Sequence, residues 1–301
     1  NTGVAPGVDF VGLRVFNDSG AGYFSWVENA LKWVLQNRNA YENPITTINL
    51  SMGVSSWNAA TIPTWANLED EFQALEAAGI FIAVSAGNSF TSFNAPGLSY
   101  PASSQYVVPV MSTTDSGSLS YCSQRLTRAI AAPGQNIVST IPDYKGNNNG
   151  VADDYGGMSG TSMAAPYVAG AAVIIRQAME FVGMTNITQD MIFNHMMANA
   201  DTLFDSATNL SYKRLNLQKA VNALMPSDDY GSTSAAAGGG GGGGPGEPEW
   251  VDLGKDELLD VCFMQIAEFC GPIDPSDSDS DSESDSDPTD TSASASGSSD
   301  E

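Results

Sequence analysis

Basic residues are scarce in this sequence, which carries 11 Lys and Arg against 35 Asp and Glu and a net charge of −24. A chain so acidic and without a basic patch is repelled by phosphate backbones, so a nucleic-acid partner is excluded. Long apolar runs are also missing: none reaches the ~18 residues that a membrane-spanning helix needs. The first residues lack the basic and apolar regions of a signal peptide.

The negative charge is distributed unevenly, and this divides the chain into a body and a tail. From residue 227 onward there are 19 acidic residues and one lysine, whereas residues 1–226 carry 16 acidic and 10 basic residues. We therefore predict a globular domain over 1–226, followed by a Gly-rich linker over 227–250. An amphipathic helical segment over 251–271 and a disordered Asp/Ser-rich tail over 272–301 complete the predicted organisation.

Cysteine and histidine are rare as well. Cys122 is alone in the body, and Cys262 and Cys270 lie in the tail. On one continuous helix, these two tail residues would lie ~12 Å apart, which is too far for a disulfide. We expect unpaired thiols. The single histidine, His195, falls in a predicted helix and is expected at the surface or the edge of the core.

Strand-like and helix-like stretches alternate along the body. This alternation predicts an α/β fold with a parallel central sheet, and the continuous apolar strands predict helices on both of its faces. The predicted strands are 8–16, 46–52, 80–87 and 106–113, with shorter segments at 129–134 and 136–140. The predicted helices are 23–37, 68–79, 188–200 and 215–224, in addition to a long helix after residue 160.

The stretch "SGTSMAAPYVAG" (159–170) places Ser162 where a turn enters this long helix. We predict Thr161 as the N-cap. Backbone N–H groups of a first helical turn have no partner within the helix, and they could stabilise an oxyanion formed by attack of Ser162 on a carbonyl. An ordinary capping serine is the alternative. The esterase motif G-x-S-x-G is excluded because position 164 is alanine.

This stretch closely resembles the nucleophile segment of subtilisin-like serine proteases. Three further stretches occur in the order expected for that family: "GAGYFSW" (20–26), "INLSMG" (48–53) and "SAGNS" (85–89). The resemblance covers residues 1 to about 224 and implies a subtilisin-like fold, with Ser162 as nucleophile and Asn88 as oxyanion donor. It implies that substrate is bound by Gly20, Ala21, Gly22, Leu50, Ser51, Met52, Gly53, Ser85, Ala86 and Gly87.

The family uses Asp, His and Ser in that order, and its Asp and His motifs precede the region that resembles residues 1–26. Neither motif occurs in the sequence. The resemblance therefore implies that residues 1–226 are the C-terminal two-thirds of a subtilisin-like catalytic domain, incomplete at its N-terminus, with the catalytic Asp and His upstream of Asn1. The polypeptide of residues 1–301 is then expected to be inactive by itself.

Two alternatives remain open at this stage. A sedolisin-type peptidase would carry aspartate at the oxyanion position, whereas this chain has Asn88. The other alternative is a noncatalytic pseudoprotease that binds peptides or serves as a surface scaffold. It stays open because the catalytic Asp and His, which would distinguish an enzyme from a pseudoprotease, do not occur in this sequence.

The resemblance also implies a protein or peptide substrate, a pro-segment in the precursor and an extracellular location. It implies no required cofactor. Structural calcium is common in the family, and the loop 143–154 offers weak candidate ligands in its Asp and Asn side chains.

Overall fold

A computed structural model describes residues 3–17, 20–151 and 153–225, together with the backbone of 260–265. The strands are β1 Phe10–Gly12, β2 Ile45–Ser51, β3 Phe81–Ser85, β4 Val108–Thr113, β5 Ile130–Pro133, β6 Ile137–Thr140, β7 Tyr155–Met158, β8 Asp201–Asp205, β9 Leu210–Arg214 and β10 Asp260–Gln265. The helices are α1 Phe24–Asn37, α2 Glu69–Ala77, α3 Phe90–Phe93, α4 Thr161–Phe181, α5 Gln189–Asn199 and α6 Leu217–Asn222.

Eight of these strands form one sheet in the order β1-β10-β2-β3-β4-β5-β9-β8. Neighbouring strands run parallel throughout, apart from the antiparallel pair of β8 and β9. The strands β6 and β7 form a separate antiparallel hairpin. The predicted α/β fold with a mostly parallel sheet is confirmed.

Helices cover both faces of the sheet, because the side chains of each central strand alternate between two cores. In β3, Ile82 and Val84 join a core with the buried apolar residues of α1 and α2. Phe81 and Ala83 of the same strand point the other way, into a core built mainly by α4 and α5. The predicted two-faced packing is therefore confirmed.

The segment predicted as an amphipathic helix contains a strand instead. β10 lies between β1 and β2 and is parallel to both, with Val261 opposite Phe10 and Thr47. The middle of this stretch is four consecutive apolar residues, 261–264, and hydrogen bonding to two neighbouring strands satisfies its backbone on both sides. The rest of that segment, the linker and the acidic tail lie outside the described residues.

Cys122 is a second correction to the sequence-based expectations. It is disulfide-bonded and 3% exposed, whereas the sequence predicts an unpaired thiol. Its partner is not among the residues whose side chains are described. The prediction failed because a disulfide between cysteines far apart in sequence leaves no signal in local spacing.

None of the helices in the described part of the chain combines the length and the apolar character required to cross a bilayer. The carboxyl ends of the parallel strands β2 and β3 meet at one edge of the sheet. α4 begins at that edge, since Ser51 at the end of β2 contacts the first turn of α4. Ligand sites in open parallel sheets occur at such an edge.

Candidate active site

Ser162 is the second residue of α4, which begins at Thr161 with Gly160 as its N-cap. The prediction of Thr161 as N-cap was therefore wrong by one residue. The backbone N–H of Ser162 still lies in the first helical turn, at the positive end of the helix dipole. The arrangement suits stabilisation of a negative oxygen next to the serine hydroxyl.

The carbonyl of Ser162 is held by β2 and not by its own helix. In an α-helix this carbonyl would accept a bond from the N–H of residue 166, but residue 166 is proline and has no N–H. The Oγ of Ser51 donates to the Ser162 carbonyl at 2.7 Å, and Nδ2 of Asn49 donates to the same Oγ at 3.0 Å. Ser51 is fully buried, so its side chain is structural and holds the first turn of α4 against β2.

Asn88 lies three residues after the end of β3, and its side-chain oxygen is bound to the first residue of α4. The N–H and the Oγ of Thr161 both donate to Asn88 Oδ1, at 2.9 and 3.1 Å. The two donors fix the rotation of the carboxamide and show which end of it is oxygen. Its Nδ2 is therefore turned away from Thr161. The structure thus brings the two predicted catalytic residues together at the start of α4.

The ends of β2 and β3 form one connected wall beside Asn88. Ser85 Oγ donates to the Met52 carbonyl at 3.1 Å, and the Gly87 N–H donates to Thr161 Oγ1 at 3.2 Å. Gly87 has φ +104, and a Cβ there would meet the Gln124 amide at 2.0 Å. The wall requires glycine at position 87.

The other predicted substrate residues divide into buried and exposed groups. Leu50 and Ala86 are fully buried in the core on the α1 side, so their side chains are structural. Gly53 is half-buried, and a Cβ there would meet Ser99 Oγ at 2.4 Å. The three residues at 20–22 are exposed. Ala21 is hydrogen-bonded to Asn17 through both its N–H and its carbonyl.

Ser162 itself is 1% exposed, and β10 contacts the helix α4 that carries it.

His195 lies elsewhere, on α5, with its Nε2 2.7 Å from the Ala220 carbonyl. The structure therefore agrees with the prediction that this histidine is not part of the site. No side chain among the described residues offers an imidazole to Ser162.

The loop proposed to offer calcium ligands uses its carboxylates locally. Asp143 accepts from the N–H groups of Asn149 and Gly150 at 2.8 and 3.1 Å, and Asp154 accepts from the Asn147 N–H at 3.2 Å. Within the described residues, no group of three metal-ligating side chains is assembled. Calcium binding stays a prediction.

Comparison with known proteins identifies the family. The sequence model of the Subtilase family matches residues 1–224, the region that contains Asn88, Ser162 and all of α4. The chain belongs to the subtilase family. The sequence resemblance is thereby confirmed at the level of the family.

Curated subtilases resemble the chain at about 30% identity. Subtilisin DY from Bacillus licheniformis is 29% identical over 205 residues, which cover 68% of this chain and 65% of that protein. Subtilisin Savinase from Lederbergia lenta is 31% identical over 209 residues, with 69% and 65% covered. The chain spans 40–65% of the length of such relatives.

Solved structures show the same fold. The prenylagaramide maturation protease PagA superposes with a TM-score of 0.54 at 23% identity, covering 70% of this chain and 71% of that one. A protease from Pseudoalteromonas arctica gives a TM-score of 0.55 at 24% identity, covering 68% and 60%. At this identity the comparison supports the fold.

Proposed function

We propose that the protein is a serine endopeptidase that cleaves peptide bonds through an acyl-enzyme on Ser162. The observation that carries this proposal is the pair of bonds from Thr161 to Asn88 Oδ1. Those bonds hold the carboxamide beside the helix start with its oxygen on Thr161, so its NH2 group is the end that we assign as the oxyanion donor. Family membership supports the same chemistry.

In the proposed reaction, Ser162 Oγ forms a bond to the scissile carbonyl carbon while its proton passes to a general base. The carbonyl oxygen becomes an oxyanion that accepts bonds from Asn88 Nδ2 and the Ser162 N–H. The C–N bond then breaks, and the leaving amine takes the proton from the base. Water repeats the sequence on the ester and releases Ser162.

We infer that the general base and its aspartate come from outside residues 1–301. The sequence holds one histidine, and His195 is bound to the backbone of α6. The polypeptide of residues 1–301 alone is therefore proposed to be inactive, whereas the full-length protein is active. The extracellular location and a pro-segment belong to the same proposal.

Extended substrate is proposed to lie between residues 20–22 and 50–53, adding a strand through its backbone. An aromatic cluster adjoins this path. Phe24, two residues after Gly22, lies 5.9 Å from Trp65 and 5.4 Å from Tyr100, between ring centroids. Trp65 is 47% exposed. This surface suits a large apolar substrate side chain some positions before the scissile bond.

Fluorogenic peptides of equal length test the proposed activity and this surface together. We compare two peptides that differ only in the residue that would contact the aromatic cluster. We expect the full-length protein to hydrolyse the phenylalanine peptide with a kcat/KM about 10–100-fold higher than that of the alanine peptide, as such apolar contacts allow. The Trp65→Ala variant should lose most of that ratio. The exposed Tyr144→Ala variant is the matched control. Equal kcat/KM values for the two peptides in the wild type would contradict the aromatic subsite. Hydrolysis of either peptide would still support the proposed endopeptidase activity.

The oxyanion role of Asn88 is tested by Asn88→Asp, which keeps an oxygen for Thr161 but removes the NH2 donor. We expect kcat of the full-length protein to fall by on the order of 10²–10³, a magnitude known from a subtilisin. Thr161→Val is the control, because it removes one bond to Oδ1 and keeps the carboxamide. Wild-type kcat in Asn88→Asp would exclude Asn88 as the donor.

A noncatalytic peptide-binding protein is the second candidate function. The 1% exposure of Ser162 favours it, because a nucleophile must be reached by its substrate. This candidate predicts that the full-length protein binds extended peptides without cleaving them, so the peptide assay separates the two functions.

A further inference from the structure

A cavity lies at the amino ends of β2 and β3, at the opposite end of these strands from Ser162. Its volume is about 450 Å³. It is bounded by the end of α1, the turn between α2 and β3, the last turns of α4 and the segment after α4. The residues that matter here are Arg38, Thr46, Gly79, Arg176, Glu180 and Asn186.

Arg176 of α4 is a buried cation in the wall of this cavity, with 6% of its surface exposed. Its Nη1 donates to the Ile187 carbonyl at 3.1 Å, and its Nη2 donates to the Gly79 carbonyl at 2.6 Å. Its Nε has no hydrogen-bond partner in the described part of the chain. A buried N–H of a charged group is costly to leave unpaired. Burial lowers the pKa of Arg176, and the charge of Glu180 opposes that shift.

Thr46 supplies a second unpaired polar atom in the same wall. It is 8% exposed, and its Oγ1 also lacks a partner among the described residues. Arg38 lines the cavity as well, with its Nη1 3.3 Å from the Ala78 carbonyl. Against these two guanidinium groups the lining has one carboxylate, that of Glu180, which is exposed.

We propose that this cavity binds a small organic anion through a carboxylate or phosphate group. The oxyanion accepts from Arg176 Nε, Thr46 Oγ1 and Arg38, which provide charge-assisted bonds in a partly desolvated setting. The volume falls within the range of about 300–1,000 Å³ typical of small-molecule sites. The site is separate from Ser162, and its occupancy does not depend on whether the protein cleaves peptides.

Calorimetry and thermal unfolding of the full-length protein test the proposal with citrate and inorganic phosphate, each compared with chloride at equal ionic strength. We expect saturable binding of at least one of these anions. At a concentration about ten times Kd, the melting temperature should rise by roughly 3–6 °C, since a ligand stabilises the folded state that binds it. Citrate alone would identify a carboxylate ligand, and phosphate alone a phosphate ligand.

Two substitutions keep the test specific without removing the buried Arg176. Arg38→Gln should weaken anion binding at least tenfold, and Thr46→Val should weaken it severalfold. Lys213→Gln removes one positive charge outside the cavity and should leave binding unchanged. The proposal is overturned if the wild type binds neither anion saturably, or if Arg38→Gln and Lys213→Gln have the same affinity as the wild type.

Discussion

Replacing Ser162 with alanine is expected to lower kcat of the full-length protein by about 10⁶, a magnitude known from a subtilisin in which the nucleophile was removed. In the proposed mechanism this hydroxyl forms the covalent bond to substrate, so its loss stops the acyl-enzyme pathway. The residual rate above the uncatalysed reaction comes from substrate binding and the oxyanion donors. Peptide hydrolysis at saturating substrate measures the change.

The matched control is Ser159→Ala, three residues before the nucleophile. Ser159 Oγ accepts from the Asn136 N–H at 3.0 Å, so it is a neighbouring serine with a structural bond. We expect kcat of Ser159→Ala within a few-fold of the wild type. A Ser162→Ala variant that keeps more than a tenth of wild-type kcat would contradict the assignment of the nucleophile.

Replacing Arg125 with alanine is expected to lower the free energy of unfolding by about 3–5 kcal/mol, because it strands a partly buried carboxylate and several carbonyls. Arg125 is 2% exposed and its Nη1 lies 2.9 Å from Asp205 Oδ1. Its Nε and Nη2 donate to the carbonyls of Ser123 and Ser120, each at 2.9 Å. Its guanidinium also lies 3.6 Å from the centre of the Phe90 ring.

Urea unfolding of the two variants Arg125→Ala and Arg214→Ala measures the contrast. Arg214 also pairs with an aspartate, Asp201, at 3.2 Å, but both side chains are partly exposed. Such surface pairs contribute about 0–1 kcal/mol. Because Phe90 follows Asn88 closely, Arg125→Ala should also reduce activity. Equal losses of stability in the two variants would contradict the role given to burial.

The apolar elements of the fold were predictable because their periodicity is strong. Residues 80–87 include a continuous apolar run, and residues 46–52 place apolar side chains at alternate positions 48, 50 and 52; the two stretches correspond to the buried strands β2 and β3. The helical spacing predicted over 23–37 corresponds to α1, whose Val27, Leu31 and Val34 are buried. Local sequence and tertiary packing agree in these segments.

The polar and tail elements were not predictable in the same way. The hairpin of β8 and β9 was missed, because β8 alternates between half-buried and exposed side chains and both strands carry many polar residues. β10 was predicted as a helix since its apolar positions fit that period. Its strand conformation depends on β1 and β2, which are more than 200 residues away in sequence.

In the site, motif resemblance located Ser162 and Asn88 but not the bonds that hold them. The role of Ser51 follows from Pro166, which removes a helical donor for the Ser162 carbonyl. That signal is readable once the helix is known to begin at Thr161. The contact of Gly87 with Gln124 leaves no sequence signal, since 37 residues separate them.

Labelling of the full-length protein with a fluorophosphonate probe, followed by mass spectrometry of its peptides, tests the central claim most directly. The serine oxygen bonds to the phosphorus of the probe and fluoride leaves, a reaction that requires a base to activate the hydroxyl and donors that stabilise the charge on the phosphoryl oxygen. We predict one adduct, on Ser162, that is absent from the Ser162→Ala variant and from the polypeptide of residues 1–301. A folded full-length protein that binds peptides but carries no adduct on Ser162 would contradict the account.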